Sequence, residues 1–125
     1  MCRGEEYICT CLVRNSSITY LNCSMNPIGD LGAKHLADLL AQRPPLARLA
    51  LNGCGIGLPG ARALAEALPQ SRLEVLELMQ NGIPDEGGQA LLEAIPLSRL
   101  SELQLSMNPI SPDTAQQLER TLMLR

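Results

Sequence analysis

The sequence predicts an α/β fold: a right-handed α/β solenoid with a parallel sheet on its concave face and helices on its convex face. Three observations carry this. An apolar motif of eleven residues returns four times, at intervals of 27 or 28 residues. Each copy is followed by a helix-start signal and by apolar residues at helical spacing. A column of glycines keeps one offset in three of the four copies. A unit of one strand, one turn and one helix cannot bury its apolar side alone, so such units must stack.

The strands come first in each unit. Residues 18–28, 46–56, 73–83 and 100–110 all fit LxxLxLxx(N/C)xI without internal gaps, and the ninth position holds Asn26, Cys54, Asn81 and Asn108. Leu21 and Cys23, Leu49 and Leu51, Leu76 and Leu78, and Leu103 and Leu105 alternate at strand period and face inward. The asparagine amides offer donors and an acceptor to backbone groups of their own and adjacent turns. The helices follow. Gly29-Asp30, Leu58-Pro59, Pro84-Asp85 and Ser111-Pro112-Asp113 suit the free amides of a first helical turn. Behind them come Leu36, Leu39 and Leu40; Leu64 and Leu68; Leu91, Leu92 and Ile95; and Leu118 and Leu122. Gly32, Gly60 and Gly87 form the glycine column, where a missing Cβ permits close approach to the neighbouring turn; Thr114 breaks it.

One domain covers 1–125, divided into a partial helical repeat or N-terminal cap (1–17) and repeats 18–45, 46–72, 73–99 and 100–125. Gly4, Ile8 and Leu12 align with Gly60, Leu64 and Leu68. Neither end carries an evident polar cap, so the chain reads as a fragment or short form of a longer repeat protein, and association through the uncapped solenoid ends is expected.

The strand motif, the helical second half and the unit length resemble ribonuclease-inhibitor-like leucine-rich repeats, the class found in ribonuclease inhibitors, in NOD-like receptor sensor arrays and in the Ran GTPase-activating protein. Cys54 at the ninth position is similar to the alternation of Asn and Cys in that class. The resemblance covers Ile18 to the C-terminus and implies the fold; its members hold or regulate protein partners.

Composition excludes several functions. The net charge is -3, which gives no general attraction to phosphates, so no nucleic acid partner is expected. No run of about 18 apolar residues could span a bilayer, and Met1-Cys2-Arg3-Gly4-Glu5-Glu6 lacks the apolar stretch of a secretory signal, so no membrane association is expected. Five cysteines form no disulfide framework. The reading is cytoplasmic, with the nucleus as the other compartment. The sequons Asn15-Ser16-Ser17 and Asn22-Cys23-Ser24 carry weight only in a secreted chain.

No catalytic, cofactor-binding or metal site emerges. His35 is the sole histidine, has no nucleophile matched to it, and reads as a solvated convex-face residue. Cys9-Thr10-Cys11, with Cys2 nearby, lacks the second ligand pair of a structural zinc site, so these cysteines read as small core residues. Gly55, Gly57 and Gly60 belong to a turn and lack the Gly-Lys-Ser of a phosphate loop.

The candidate surface is the concave face, read in columns: Tyr20, Arg48, Val75 and Glu102; Asn22, Ala50, Glu77 and Gln104; Ser24, Asn52, Met79 and Ser106; Met25, Gly53, Gln80 and Met107. Tyr and Arg are frequent interface anchors and Met suits adaptable contacts. The partner-binding candidates are Tyr20, Asn22, Met25, Arg48, Glu74, Glu77, Met79, Glu102, Gln104 and Met107. Glu74, Glu77 and Glu102 are expected to form an acidic cluster attractive to a basic partner. The function expected is a non-catalytic protein-interaction module of a sensor or scaffold. The alternative is a regulator of an enzyme, by GTPase activation, for which Arg48, Arg72 and Arg99 are available, or by nuclease inhibition.

Overall fold

The computed structural model describes residues 18–124. The partial repeat expected at 1–17, with Cys2, Cys9 and Cys11, lies outside the described residues. Four strand and helix pairs follow in order: β1 Tyr20–Asn22 and α1 Gly29–Leu40; β2 Arg48–Ala50 and α2 Leu58–Ala67; β3 Val75–Glu77 and α3 Asp85–Ala94; β4 Glu102–Gln104 and α4 Pro112–Met123. The strands form one parallel sheet in the order β1-β2-β3-β4.

Register follows the period of the sequence. Tyr20, Arg48, Val75 and Glu102 lie side by side, as do Leu21, Leu49, Leu76 and Leu103, and Asn22, Ala50, Glu77 and Gln104. The inward leucines of the middle units are fully covered: Leu49, Leu51, Leu76 and Leu78 are each 0% exposed. Burying such a side chain stabilises the fold by about 1.5–3 kcal/mol. Leu103 and Leu105 in the last unit are only half-buried, because no further unit covers them among the described residues.

The asparagine column ties the turns together. Asn81 Oδ1 accepts the amides of Cys54 and Ile56 from the preceding unit at 2.9 and 3.0 Å, while its Nδ2 donates to the carbonyls of Leu51, Leu78 and Met79. Asn108 likewise accepts the Ile83 amide and donates to Leu78. Cys54 has no acceptor of this kind; its buried thiol donates to the Cys23 carbonyl at 3.2 Å. The Ile28 amide, lacking an asparagine in the next unit, turns back to the Asn26 carbonyl.

Two expectations about the helices are corrected. Leu68 and Ile95 fall at helical spacing in the sequence, but each opens a 3₁₀ turn, Leu68–Gln70 and Ile95–Leu97, beyond its helix. Pro69 and Pro96 supply no amide to continue the α-helix. The acids at the helix starts also do not all serve their own helices. Asp30 Oδ1 accepts the amides of Gly57 and Gly60 at 2.8 and 2.9 Å, at the start of α2, and Asp85 Oδ1 accepts the amide of Ser111 before α4. Among the described residues, only Ser111 caps its own helix through a side chain, accepting from the Thr114 amide.

The glycine column explains how closely the helices pack. A Cβ on Gly60 would lie 2.8 Å from Ile56 Cγ2 and 3.1 Å from Ala33 Cβ, and one on Gly87 would lie 2.7 Å from Ile83 Cγ2. Thr114 fits the fourth position because Gly88 gives it room: a Cβ there would stand 3.1 Å from Thr114 Cγ2.

Candidate functional site on the concave sheet

The outward side chains of three parallel strands meet at the centre of the sheet. Neighbouring columns put an aromatic ring, a guanidinium and a carboxylate within reach of one another. Arg48 lies over the ring of Tyr20, with its Cζ 5.1 Å from the centroid, a cation–π geometry. The same guanidinium donates to Glu77 Oε2 from Nη2 at 3.0 Å and from Nε at 3.3 Å. Asn52 Nδ2 donates to the other carboxylate oxygen of Glu77 at 3.0 Å, and Asn52 Oδ1 accepts the Met79 amide. Ser24 Oγ accepts the Asn52 amide.

The electrostatics follow from these bonds. The Asn52 amide and then the Arg48 guanidinium hold the Glu77 carboxyl below the usual carboxylate range, and Glu77 in turn raises Arg48. Arg48 remains 52% exposed while Glu77 is 13% exposed. The pair therefore presents a cation outward and keeps its anion within the sheet surface.

This corrects the expected acidic cluster. Glu77 is spent on Arg48 and Asn52, so of the three acids Glu74 and Glu102 alone stay exposed. Glu102 Oε2 accepts from Gln104 Nε2 at 2.8 Å. Ala50, expected to line the face, is 2% exposed between Asn22 and Glu77.

The other candidates lie around this centre. Tyr20 is 50% exposed; Asn22 is exposed and its Oδ1 accepts the Ser24 amide. Met79 and Gln104 are half-buried, and Glu74 sits just before β3. Met25 and Met107 are more than 70% exposed at the turns after β1 and β4. Asn52, absent from the expected partner-binding residues, is the polar hub. Its place in the column beside Glu77 was the available signal.

Burial pushes the Cys54 thiol up, away from a reactive thiolate. Among the described residues, no three His, Cys, Asp or Glu side chains gather to hold a metal, and no helix is long and apolar enough to cross a membrane.

Comparison with known proteins agrees with the repeat fold. The family model described as Leucine Rich repeat matches residues 14–37, 44–65 and 72–92. The chain is 39% identical over 77 residues to the NACHT, LRR and PYD domains-containing protein 14 of Mus musculus, which covers 60% of this chain and 8% of that protein. It is 35% identical over 77 residues to the ribonuclease inhibitor of Mus musculus, covering 60% of this chain and 17% of that protein. The chain thus spans less than a fifth of the length of these relatives. Among solved structures, the Leiomodin-1 Actin-Binding Site 2 superposes with a TM-score of 0.85 at 17% identity, over 97% of this chain and 73% of that one; this likeness concerns the fold alone.

Proposed function

The chain belongs to the leucine-rich repeat family, whose domains are generally protein-interaction modules, and from that premise we propose that it is a non-catalytic module holding a protein partner on its concave sheet. The observation that carries the reading is the Tyr20–Arg48–Glu77 cluster. An exposed ring and guanidinium are held in one geometry by Glu77 and Asn52, so little side-chain freedom remains to be lost when a partner docks. Aromatic and arginine side chains of this kind serve as interface anchors.

The partner has both basic and apolar side chains. Glu74 and Glu102 offer unneutralised carboxylates, and Met25 and Met107 offer polarizable apolar surface at the rims. The module works as part of a sensor or scaffold in the cytoplasm, a placement that rests on the sequence reading.

Regulation of an enzyme is the weaker reading. Nuclease inhibition would need an extended acidic face, and the neutralisation of Glu77 weighs against it. The clamping of Arg48 weighs against its service as a free arginine for a GTPase.

The test is capture from cell extract followed by affinity measurement with the purified partner, using the parent chain, Arg48→Ala, and Lys34→Ala on the convex α1 as control. Arg48→Ala should weaken binding about tenfold or more and Lys34→Ala should leave it unchanged. The reverse pattern would sink the concave-face reading.

A further inference from the structure

One edge of the Arg48 guanidinium is spent and another is open. The planar group carries its N–H donors in a fixed fork. Glu77 Oε2 takes the side-on edge, formed by Nε and Nη2. The end-on edge, formed by Nη1 and the second proton of Nη2, donates to no atom among the described residues, and the side chain is half exposed. The Tyr20 ring and the bonds to Glu77 hold that edge in place. Two parallel N–H groups of this kind match the two oxygens of a carboxylate. A second donor stands in the next outward row. Asn22 is exposed beside Ala50, its Oδ1 takes the Ser24 amide, and among the described residues its Nδ2 donates to no atom.

The acceptors are disposed differently. Both oxygens of Glu77 are bonded, one to Arg48 and one to Asn52, and the carboxylate is mostly covered. Glu102 is exposed at the far end of the Arg48 row and keeps one oxygen unbonded among the described residues. Half-buried Val75 lies between them. Adjacent strands stand about 4.8 Å apart, so Arg48 and Glu102, two strands apart, are separated by about 10 Å. Across the sheet the row runs aromatic, cation, apolar, anion: Tyr20, Arg48, Val75, Glu102.

We propose that the partner on this face is a protein segment that seats an acidic side chain on the open edge of Arg48 and on Asn22, and a basic side chain about 10 Å away on Glu102, with an apolar group over Val75. This rests on the concave-face reading and adds an order of charges to it. The order discriminates, because a segment with its two charges exchanged sets like charges against Arg48 and Glu102 at once. A side-chain carboxylate fits better than a phosphate, whose second negative charge would face Glu77 and Glu102 with one guanidinium to balance it.

Random peptides displayed and selected on the full chain are the probe, and the recovered sequences are measured as free peptides. They should share an acid and a base. Exchanging the acid for its amide should weaken binding to the parent at least about tenfold, and to Arg48→Met by less than about twofold. Exchanging the base for Gln should weaken binding to the parent and leave binding to Glu102→Gln unchanged. Asn22→Asp keeps the oxygen that accepts the Ser24 amide but turns the donor into a second acid, so it should weaken the same peptides; undiminished affinity in that variant would overturn the proposal. Peptides that are weakened by Arg48→Met but indifferent to the acid-to-amide exchange would overturn the proposal and leave the concave-face reading standing. Peptides weakened by Lys34→Ala alone would overturn both. Recovery of no peptide, or tighter binding when phosphoserine replaces the acid, would also overturn the carboxylate assignment.

Discussion

At the scale of single residues, the turn after each strand has a requirement that its side chains conceal. Met25, Gly53, Gln80 and Met107 all have φ between 58° and 65°, the left-handed region that costs a non-glycine residue roughly 1–2 kcal/mol. Only Gly53 announced the column, because Met and Gln carry no such preference in sequence. Met107→Gly, at a position 72% exposed, should stabilise the protein by about 0.5–1 kcal/mol, raising the midpoint of a urea melt. Gly53→Ala should do the opposite, by about 1–2 kcal/mol, since a Cβ there would lie 2.5 Å from the sulfur of Met25. The asparagine column was legible, because a polar residue at a fixed place in an apolar motif must satisfy something. Its bonds set a ranking. Asn81→Ala orphans the amides of Cys54 and Ile56, so it should cost about 2–4 kcal/mol. Asn108→Ala orphans that of Ile83 alone and should cost about half as much; equal losses in chemical denaturation would refute the account.

At the scale of elements, the register between strands was legible to the residue, while strand ends, helix ends and caps were not. Periodicity locates a helix by its buried stripe, but Leu68 and Ile95 continue that stripe into 3₁₀ turns, and only Pro69 and Pro96 mark the change. The capping acids were recognisable in sequence, yet their customers lie 26 to 30 residues onward, a choice that only packing makes. Asp85 gives this a pH signature. The Ser111 amide and the Thr114 and Ser111 hydroxyls hold its carboxyl below the ordinary range. Its contribution to stability is therefore fully present above about pH 4, where the unfolded carboxyl is ionised, and is lost as pH falls through the lower folded value. Asp85→Asn should be less stable than the parent near pH 6 and should lose less on acidification; thermal melts from about pH 6 to 2.5 that fall in parallel would refute it.

At the scale of the whole molecule, the stack behaves as units stabilised by their neighbours. Leu78→Ala, between two covering units, should cost about 3–5 kcal/mol, whereas Leu105→Ala in the half-open last layer should cost about 1–2 kcal/mol, as read from denaturant midpoints at constant slope. The concave face was legible as a surface but not as a circuit. Arg48 and Glu77 occupy neighbouring columns, yet columns count charges without pairing them, so in sequence Glu77 looks like a free acid. The joints between units are also sewn unequally. The first has its Asp30 clasp on the helical side and the Ser24–Asn52 and Cys23–Cys54 links on the strand side, whereas among the described residues the second has side-chain links on the strand side alone, from Arg48, Asn52 and Asn81. Under load, a joint gapes on the side away from its stitches, as a book opens away from its spine. The second joint should therefore yield by spreading its helices, while the first, stitched on both sides, holds its angle.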